Sequence, residues 1–265
     1  MTEKVSINIP VYNRMDLLSR CIYSIYNYTE YNKYELVLID DGSTESNISK
    51  YMKRTANVYI RHDTNLGIAQ SRADGVMASS GKYIVELDSD VVVTPGWLTK
   101  LVNGYEENAG WPEDAAQKVK IMSALMAHQV GYFIKAGDIN DSEYIEVGVV
   151  GTACMLFERG YGIEIGNFEP KLGNLWSDLD FCKRVRKQSE HNKIMIDPRV
   201  MVYHHGWIDP STGEMAEDYT GNTRSLKELN TGDKLQRNIE SMKLIKKRWG
   251  ITHPHLQTME ENGEA

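Results

Sequence analysis

The chain of 265 residues reads as an α/β protein with a mostly parallel, Rossmann-like central sheet and flanking helices. Three observations carry that reading. Short continuous apolar runs such as Leu36-Val37-Leu38-Ile39 mark strands covered on both faces. Segments with a single apolar stripe alternate with them at a regular beat, as in right-handed βαβ units. The run Tyr83-Ile84-Val85-Glu86-Leu87 ends in Asp88-Ser89-Asp90, two carboxylates at the end of a strand, where an open α/β sheet places its ligands.

Taken in order, Val5 to Val11 alternates and ends in Pro10-Val11-Tyr12-Asn13-Arg14, a first strand feeding a turn. A helix follows, with Leu18, Cys21, Ile22 and Ile25 on one stripe. The strand Leu36–Ile39 ends in Asp40-Asp41-Gly42-Ser43-Thr44, where Gly42 permits a tight turn and Ser43 or Thr44 is placed to cap a helix. Val58-Tyr59-Ile60 is a third strand, and a helix runs from Asn65-Leu66-Gly67 to about Ala78. The strand to Asp88 and Asp90 is the fourth.

The second half is less regular and reads as a smaller mixed portion. Trp97 to Tyr105 is expected as a helix, Val119 to Ala127 and Tyr144 to Phe157 as strands, and Leu179 to about Lys187 as an amphipathic helix. Ile194-Met195-Ile196 and Val200-Met201-Val202-Tyr203 read as two short strands, the second ending in His204-His205-Gly206. From Trp207 to about Asp233 no period survives, the mark of a long loop, and such loops in compact domains are either functional or disordered. Asn238 to Trp249 is a last helix. The expected organisation is one domain over 1–206, in two halves (1–105 and 106–206), with 207–265 forming a mobile loop and a helix packed on it.

The formal charge of -7 gives no general pull toward nucleic acid or anionic membrane. No apolar run approaches the ~20 residues that span a bilayer, and Met1-Thr2-Glu3-Lys4 leads straight into a strand rather than a signal peptide. Cys21, Cys154 and Cys182 lie in separate apolar patterns, so they read as buried thiols of a reducing compartment, and a cytoplasmic location is expected.

Asp88 and Asp90 stand at i and i+2 where a strand opens into a loop, so both can turn toward one cation; the plain alternative is a solvated acidic turn. Oxygen ligands suit Mg²⁺ or Mn²⁺, ions that usually carry phosphates. Asp40 ends a strand at the same edge and is either a helix-capping acid or a group that accepts an N–H from a ligand. Asp178, at a helix start, is either a cap or a base. Ser177 is an equally good cap, and the helix dipole favours an ionised Asp178.

Several segments together resemble family 2 glycosyltransferases of the GT-A fold. These are Val5-Ser6-Ile7-Asn8-Ile9-Pro10-Val11-Tyr12-Asn13-Arg14, Leu38-Ile39-Asp40-Asp41-Gly42-Ser43-Thr44, and Asn65-Leu66-Gly67 with Ser71-Arg72-Ala73. Further along come Asp88-Ser89-Asp90, Gly151-Thr152-Ala153-Cys154-Met155-Leu156, Ser177-Asp178-Leu179-Asp180 and Tyr203-His204-His205-Gly206. Their order spans roughly residues 5 to 206. The resemblance implies a metal-dependent inverting transfer from a nucleotide sugar, a UDP-sugar in the first place, to an acceptor hydroxyl. It implies that Asp40 meets the uracil imide, with Pro10, Tyr12 and Arg14 around base and ribose and Arg72 reaching the nucleotide. Arg72 is otherwise expected to pair with Asp40 or Asp41. Asp88 is implied on the ribose side and Asp90 as a ligand of Mn²⁺ or Mg²⁺, with His204 completing the site. The resemblance further implies a nucleotide-binding half over 1–105 and a donor-sugar and acceptor half over 106–206, with Gly151 and Thr152 shaping the donor-sugar pocket, Asp178 as the general base, and Trp176 as an acceptor platform or else a core or rim aromatic. A glycan, a lipid-linked glycan, a protein and a modified nucleic acid all remain open as acceptor, and the loop after His204 is expected to close over the diphosphate.

Two departures stand out. Ser177 replaces the usual Glu before the base, and Ile245 stands where the Gln-x-x-Arg-Trp element of processive synthases has Gln, although Arg248-Trp249 is present. A polymerising synthase is therefore not expected. A sugar nucleotidyltransferase would want a Gly-rich loop where Pro10-Val11-Tyr12-Asn13-Arg14 stands, and no Gly-x-Gly-x-x-Gly follows any strand. An inactive nucleotide-sugar or glycan-binding protein is the non-enzyme alternative.

Overall fold

A computed structural model describes residues 3–109, 118–126, 143–173, 176–204, 233–252 and 257, with backbone alone over 233–235. Strands β1 (Val5–Val11), β2 (Tyr34–Asp40), β3 (Val58–Arg61) and β4 (Tyr83–Leu87) alternate with helices α1 (Met15–Tyr28), α2 (Ile48–Thr55) and α3 (Ile68–Ala78). The four strands pair in parallel in the order β3-β2-β1-β4, with Val11 beside Asp40 at one edge. Their C-terminal ends therefore open on the same side, and the loops that follow them meet there.

Beyond β4 the sheet turns mixed. After β5 (Val91–Val92) and α4 (Trp97–Ala109) come β6 (Lys118–Met126), β7 (Ile145–Glu146), β8 (Cys154–Glu158), α5 (Arg159–Glu164), a 3₁₀ turn (Pro170–Leu172), α6 (Ser177–Gln188), β9 (Asn192–His204) and α7 (Asp233–Trp249). The sheet continues β4-β8-β6-β9-β5, with β8 antiparallel to both neighbours and β6 parallel to β9. Alternation along β4 divides the core. Tyr83, Val85 and Leu87 pack toward α1 and α4, whereas Ile84 packs with Ala73 and Val76 of α3 and with Phe181 and Val185 of α6. Glu86 and Asp88 follow Ile84 at the i+2 spacing on that second side.

Three expectations need correction. The stretch expected as one strand from Tyr144 to Phe157 is two, β7 and β8, because Gly148 and Gly151 break it. The two strands expected around Ile194–Ile196 and Val200–Tyr203 are one, β9, which absorbs Asp197-Pro198 as a bulge against β6. Ser43 and Thr44 do not cap a helix: α2 starts four residues later behind Asn47, whose side chain makes no cap bond, and Ser43 Oγ accepts the Asn13 N–H at 2.9 Å instead. Gly42 does sit in the left-handed region, at φ 74°, and an added Cβ would lie 2.4 Å from the Thr64 carbonyl carbon. The three cysteines are buried and unbridged, and no helix among the described residues is long and apolar enough to cross a membrane. The expected loop from Trp207 and His205 lie outside the described residues.

Candidate active site

A groove of about 280 Å³ opens at the C-terminal edge of the parallel strands. Pro10, Val11 and Tyr12 supply one wall from the end of β1, and Asp41, Asn65, Ile68, Ser71 and Ser89 supply the rest. The Asp41 carboxylate shapes it. Oδ1 accepts the Leu66 N–H at 2.8 Å and lies 2.8 Å from His62 Nδ1, while Oδ2 accepts the Gly67 N–H and the Asn65 amide at 2.9 Å each. Asp74 holds the far nitrogen of His62 at 3.1 Å. One carboxylate thus fixes the whole turn that begins α3.

Asp40 stands behind that wall. It has no exposed surface; its Oδ1 accepts the Ser43 N–H at 2.8 Å, and its Oδ2 takes the Ser49 and Tyr59 hydroxyls and the Arg61 guanidinium. Burial works against its charge, but the bonds from Ser49, Ser43 and Tyr59 hold its carboxyl below the usual range. The structure therefore brings Asp41, rather than Asp40, to the groove. Arg14 turns outward to Asp16 at 3.3 Å, although its charge still acts on Asp90.

Asp88, Asp90 and His204 converge beside the groove, with one potential ligand atom from each within 4.8 Å of the others. The chain turns sharply there, since the Val91 N–H bonds the Asp88 carbonyl at 3.1 Å. Antiparallel pairing then sets Val91 opposite His204 and so carries the imidazole to the turn. His204 Nε2 lies 3.0 Å from Asp90 Oδ1 and 3.7 Å from Asp88 Oδ2. Burial opposes a charged ring, yet the bond to Asp90 and the two carboxylates hold His204 above its ordinary value, and Asp90 below its own. Two carboxylates and an imidazole at this spacing fit a hard or borderline divalent cation.

Arg72 pairs with neither Asp40 nor Asp41, the plain alternative to a nucleotide contact. It leans from α3 across the second face of β4. Its Nη2 donates to Asp88 Oδ1 at 2.9 Å and its Nη1 to Ser177 Oγ at 3.0 Å. One buried guanidinium so joins the carboxylate turn to the first residue of α6. Ser177 is consequently not a cap; Trp176 takes that position at φ 63°, with no side-chain cap bond. Asp178 follows, its Oδ1 accepting the Leu179 N–H at 2.8 Å. Its other oxygen lies 3.9 Å from where a Cβ on Gly151 would stand, so the glycine keeps space open beside the carboxylate. Against the expectation from the helix dipole, burial pushes the Asp178 carboxyl up, and Arg72 only partly offsets it. Thr152 is buried next to Ala153, whose carbonyl accepts the Asp88 N–H at 3.2 Å.

The other acid of α6, Asp180, is fully buried. It accepts Arg184 Nε at 2.8 Å, Arg248 Nη1 at 2.7 Å and the Trp249 indole at 2.9 Å. The Arg-Trp pair thus clasps α6 to α7, and Trp176 packs into the same apolar cluster with Leu172 and Ile245. Sequence reasoning missed Asp41, Asn65 and Ser177 as shapers of the site. The doubled Asp40-Asp41 was the available signal, and only the second acid faces the groove.

The sequence model for Glycosyl transferase family 2 matches residues 6–165. A Rickettsia bellii glycosyltransferase is 41% identical over 107 residues, covering 40% of this chain and 15% of its own. The poly(ribitol-phosphate) beta-glucosyltransferase of Bacillus spizizenii is 36% identical over 111 residues, covering 40% of this chain and 18% of its own. The matched stretches are thus a minor part of those relatives. Among solved structures, GalNAc-T7 with UDP, GalNAc and Mn²⁺ superposes with a TM-score of 0.62 at 16% identity, over 99% of this chain and 55% of that one. At that identity the likeness speaks for the fold alone, the GT-A arrangement.

Proposed function

The chain belongs to glycosyl transferase family 2, and from that premise we propose that it moves a sugar from a UDP-sugar to an acceptor hydroxyl with inversion. The observation that carries the reading is the convergence of Asp88, Asp90 and His204, tied through Arg72 to the residue before Asp178. The groove lined by Pro10, Tyr12 and Asp41 takes the nucleoside. Asp88, Asp90 and His204 would hold Mn²⁺ or Mg²⁺, which when bound offsets charge on the departing diphosphate. A neighbour of the same fold was crystallised with UDP, GalNAc and Mn²⁺.

Asp178 is the general base. As the acceptor oxygen bonds to the anomeric carbon, the bond to the diphosphate breaks on the opposite face and the hydroxyl proton passes to the carboxylate. No enzyme nucleophile is required. The raised Asp178 value serves this role, because a base whose conjugate acid is weaker takes the proton more readily. Gly151 and Thr152 border the space where the sugar would lie.

Thermal unfolding with UDP tests the reading, because a ligand of the native state stabilises it by mass action. UDP is expected to raise the melting temperature more with Mn²⁺ than with EDTA, and Asp90→Ala to abolish the difference. A variant that UDP still stabilises more with Mn²⁺ than with EDTA, by the parental margin, would remove Asp90 from the ligand set.

A further inference from the structure

Glu86 is a buried acid in a strand otherwise built of apolar residues. It has no exposed surface, and every other position of β4 is an apolar or tyrosine side chain. An aliphatic residue would fill the place without desolvating a carboxyl, so the acid is costly unless it serves its neighbours. Those neighbours form one column. Ser79 Oγ donates to Asn8 Oδ1 at 2.9 Å, and the Asn8 amide donates to Glu86 Oε1 at 3.1 Å, as their paired register on β1 and β4 dictates. Glu86 Oε2 faces Arg72 Nε at 3.9 Å. Both of those atoms are sealed from solvent, and neither has a hydrogen-bond partner among the described residues.

Arg72 is therefore flanked on three sides. Asp88 holds one terminal nitrogen and Ser177 the other, while Glu86 waits below its Nε. Because Glu86 and Asp88 are two residues apart on one face of the same strand, a small slide of the guanidinium along β4 exchanges one carboxylate for the other. We infer that Glu86 is a positioning residue for the cation site: it is the second acceptor for Arg72, and it lets the guanidinium ease off Asp88 so that this carboxylate is free to take up a divalent ion. Ser177, neutral where a carboxylate would also reach Arg72, keeps that choice between only two acids. The inference rests on the proposed role of Asp88.

Glutamine cannot replace Glu86 in this role. Asn8 presents a donor on one side and Arg72 a donor on the other, so an amide nitrogen opposes a donor in either flip. The test uses the full chain and four variants: Glu86→Gln, Glu86→Met, Ser177→Glu and the double variant Glu86→Gln/Ser177→Glu. Mn²⁺ binding is titrated by the electron paramagnetic resonance signal of the free ion, alone and with UDP, and unfolding is followed in urea without ligand. Both Glu86 variants are expected to weaken Mn²⁺ binding by about tenfold, the scale of one charge-assisted contact. Ser177→Glu alone is expected to destabilise the fold, since three acids then crowd one guanidinium. In the Glu86→Gln background it is expected to restore both stability and Mn²⁺ binding, by returning a second acceptor to Arg72. Parental Mn²⁺ binding in Glu86→Met, or strictly additive effects on unfolding, would overturn the inference. Should the parent bind neither Mn²⁺ nor UDP, the proposed function fails, while the additivity of the unfolding energies still decides whether Glu86 and Ser177 share Arg72.

Discussion

At the scale of single residues the proposed chemistry turns on Asp178. Asp178→Asn keeps the shape and removes the basicity. It is expected to retain stabilisation by UDP and Mn²⁺ while release of UDP from the donor on a true acceptor falls by roughly two to four orders of magnitude. Near-parental turnover would move the search to another base, though not to Asp180, whose oxygens are taken by Arg184, Arg248 and Trp249. Burial raises the Asp178 value, so the carboxylate is lost on acidification sooner than an exposed one. The acid limb of the pH–rate profile is expected above the ordinary aspartate value of 3.8, and a limb at or below it would contradict the assignment. Asp40 shows how far sequence reaches at this scale. Its place at the strand end was legible, but its burial behind Ser49, Tyr59 and Arg61 depends on how α2 and β3 fold over it. Arg72 teaches the same point: which acid it meets depends on the tilt of α3 across β4, and no local pattern encodes that.

At the scale of elements, the parallel half was legible because its strands are buried on both faces and so read as uninterrupted apolar runs. The bulged β9 was not, since Asp197-Pro198 mimics a terminator. The opposite edge of the sheet, away from the site, is fastened by Glu35. It accepts Lys4 Nζ and Ser6 Oγ at 2.6 Å each and the Ser80 N–H at 2.8 Å, so it joins β1, β2 and the turn before β4. Burial opposes its charge, but these bonds carry its value from 4.5 down to about 2. A carboxyl depressed on folding contributes stability that is present above the higher value and is lost as pH falls toward the lower one. Glu35→Gln is expected to cost about 2 kcal/mol in urea unfolding at pH 7. The gap to the parent should close between about pH 4.5 and about 2. A gap that stays constant across that window would mean that shape, not charge, is what Glu35 provides.

At the scale of the whole molecule, α7 braces the two sides of the cleft. Arg248 and Trp249 reach Asp180 on α6, Ser241 Oγ donates to the Leu172 carbonyl at 2.7 Å, and Arg237 donates to the carbonyl of the groove-lining Asn65 at 3.0 Å. Asp180→Asn leaves three donors competing for one acceptor oxygen. It is expected to lower the unfolding free energy by roughly 2–4 kcal/mol, and a loss under about 0.5 kcal/mol would show the clasp to be incidental. Sequence showed Arg248-Trp249 as a fragment of a known element, but its anchoring on α6 is a long-range contact invisible to spacing. The bulge in β9 carries a consequence of its own. Between the pairs Ala124–Asp197 and Leu125–Met201, residues Pro198, Arg199 and Val200 have no counterpart on β6, and Gly104 of α4 leaves the room that Asp197 occupies there. The strand is thus indexed twice, once on each side of this slack. A change of one residue within the slack can leave Asn192 to Asp197 in register while turning the far segment over, because side-chain direction alternates at every step. His204 would then face away from Asp90 although no residue of the site had changed, so these three unpaired residues set the phase of a proposed metal ligand that stands well beyond them.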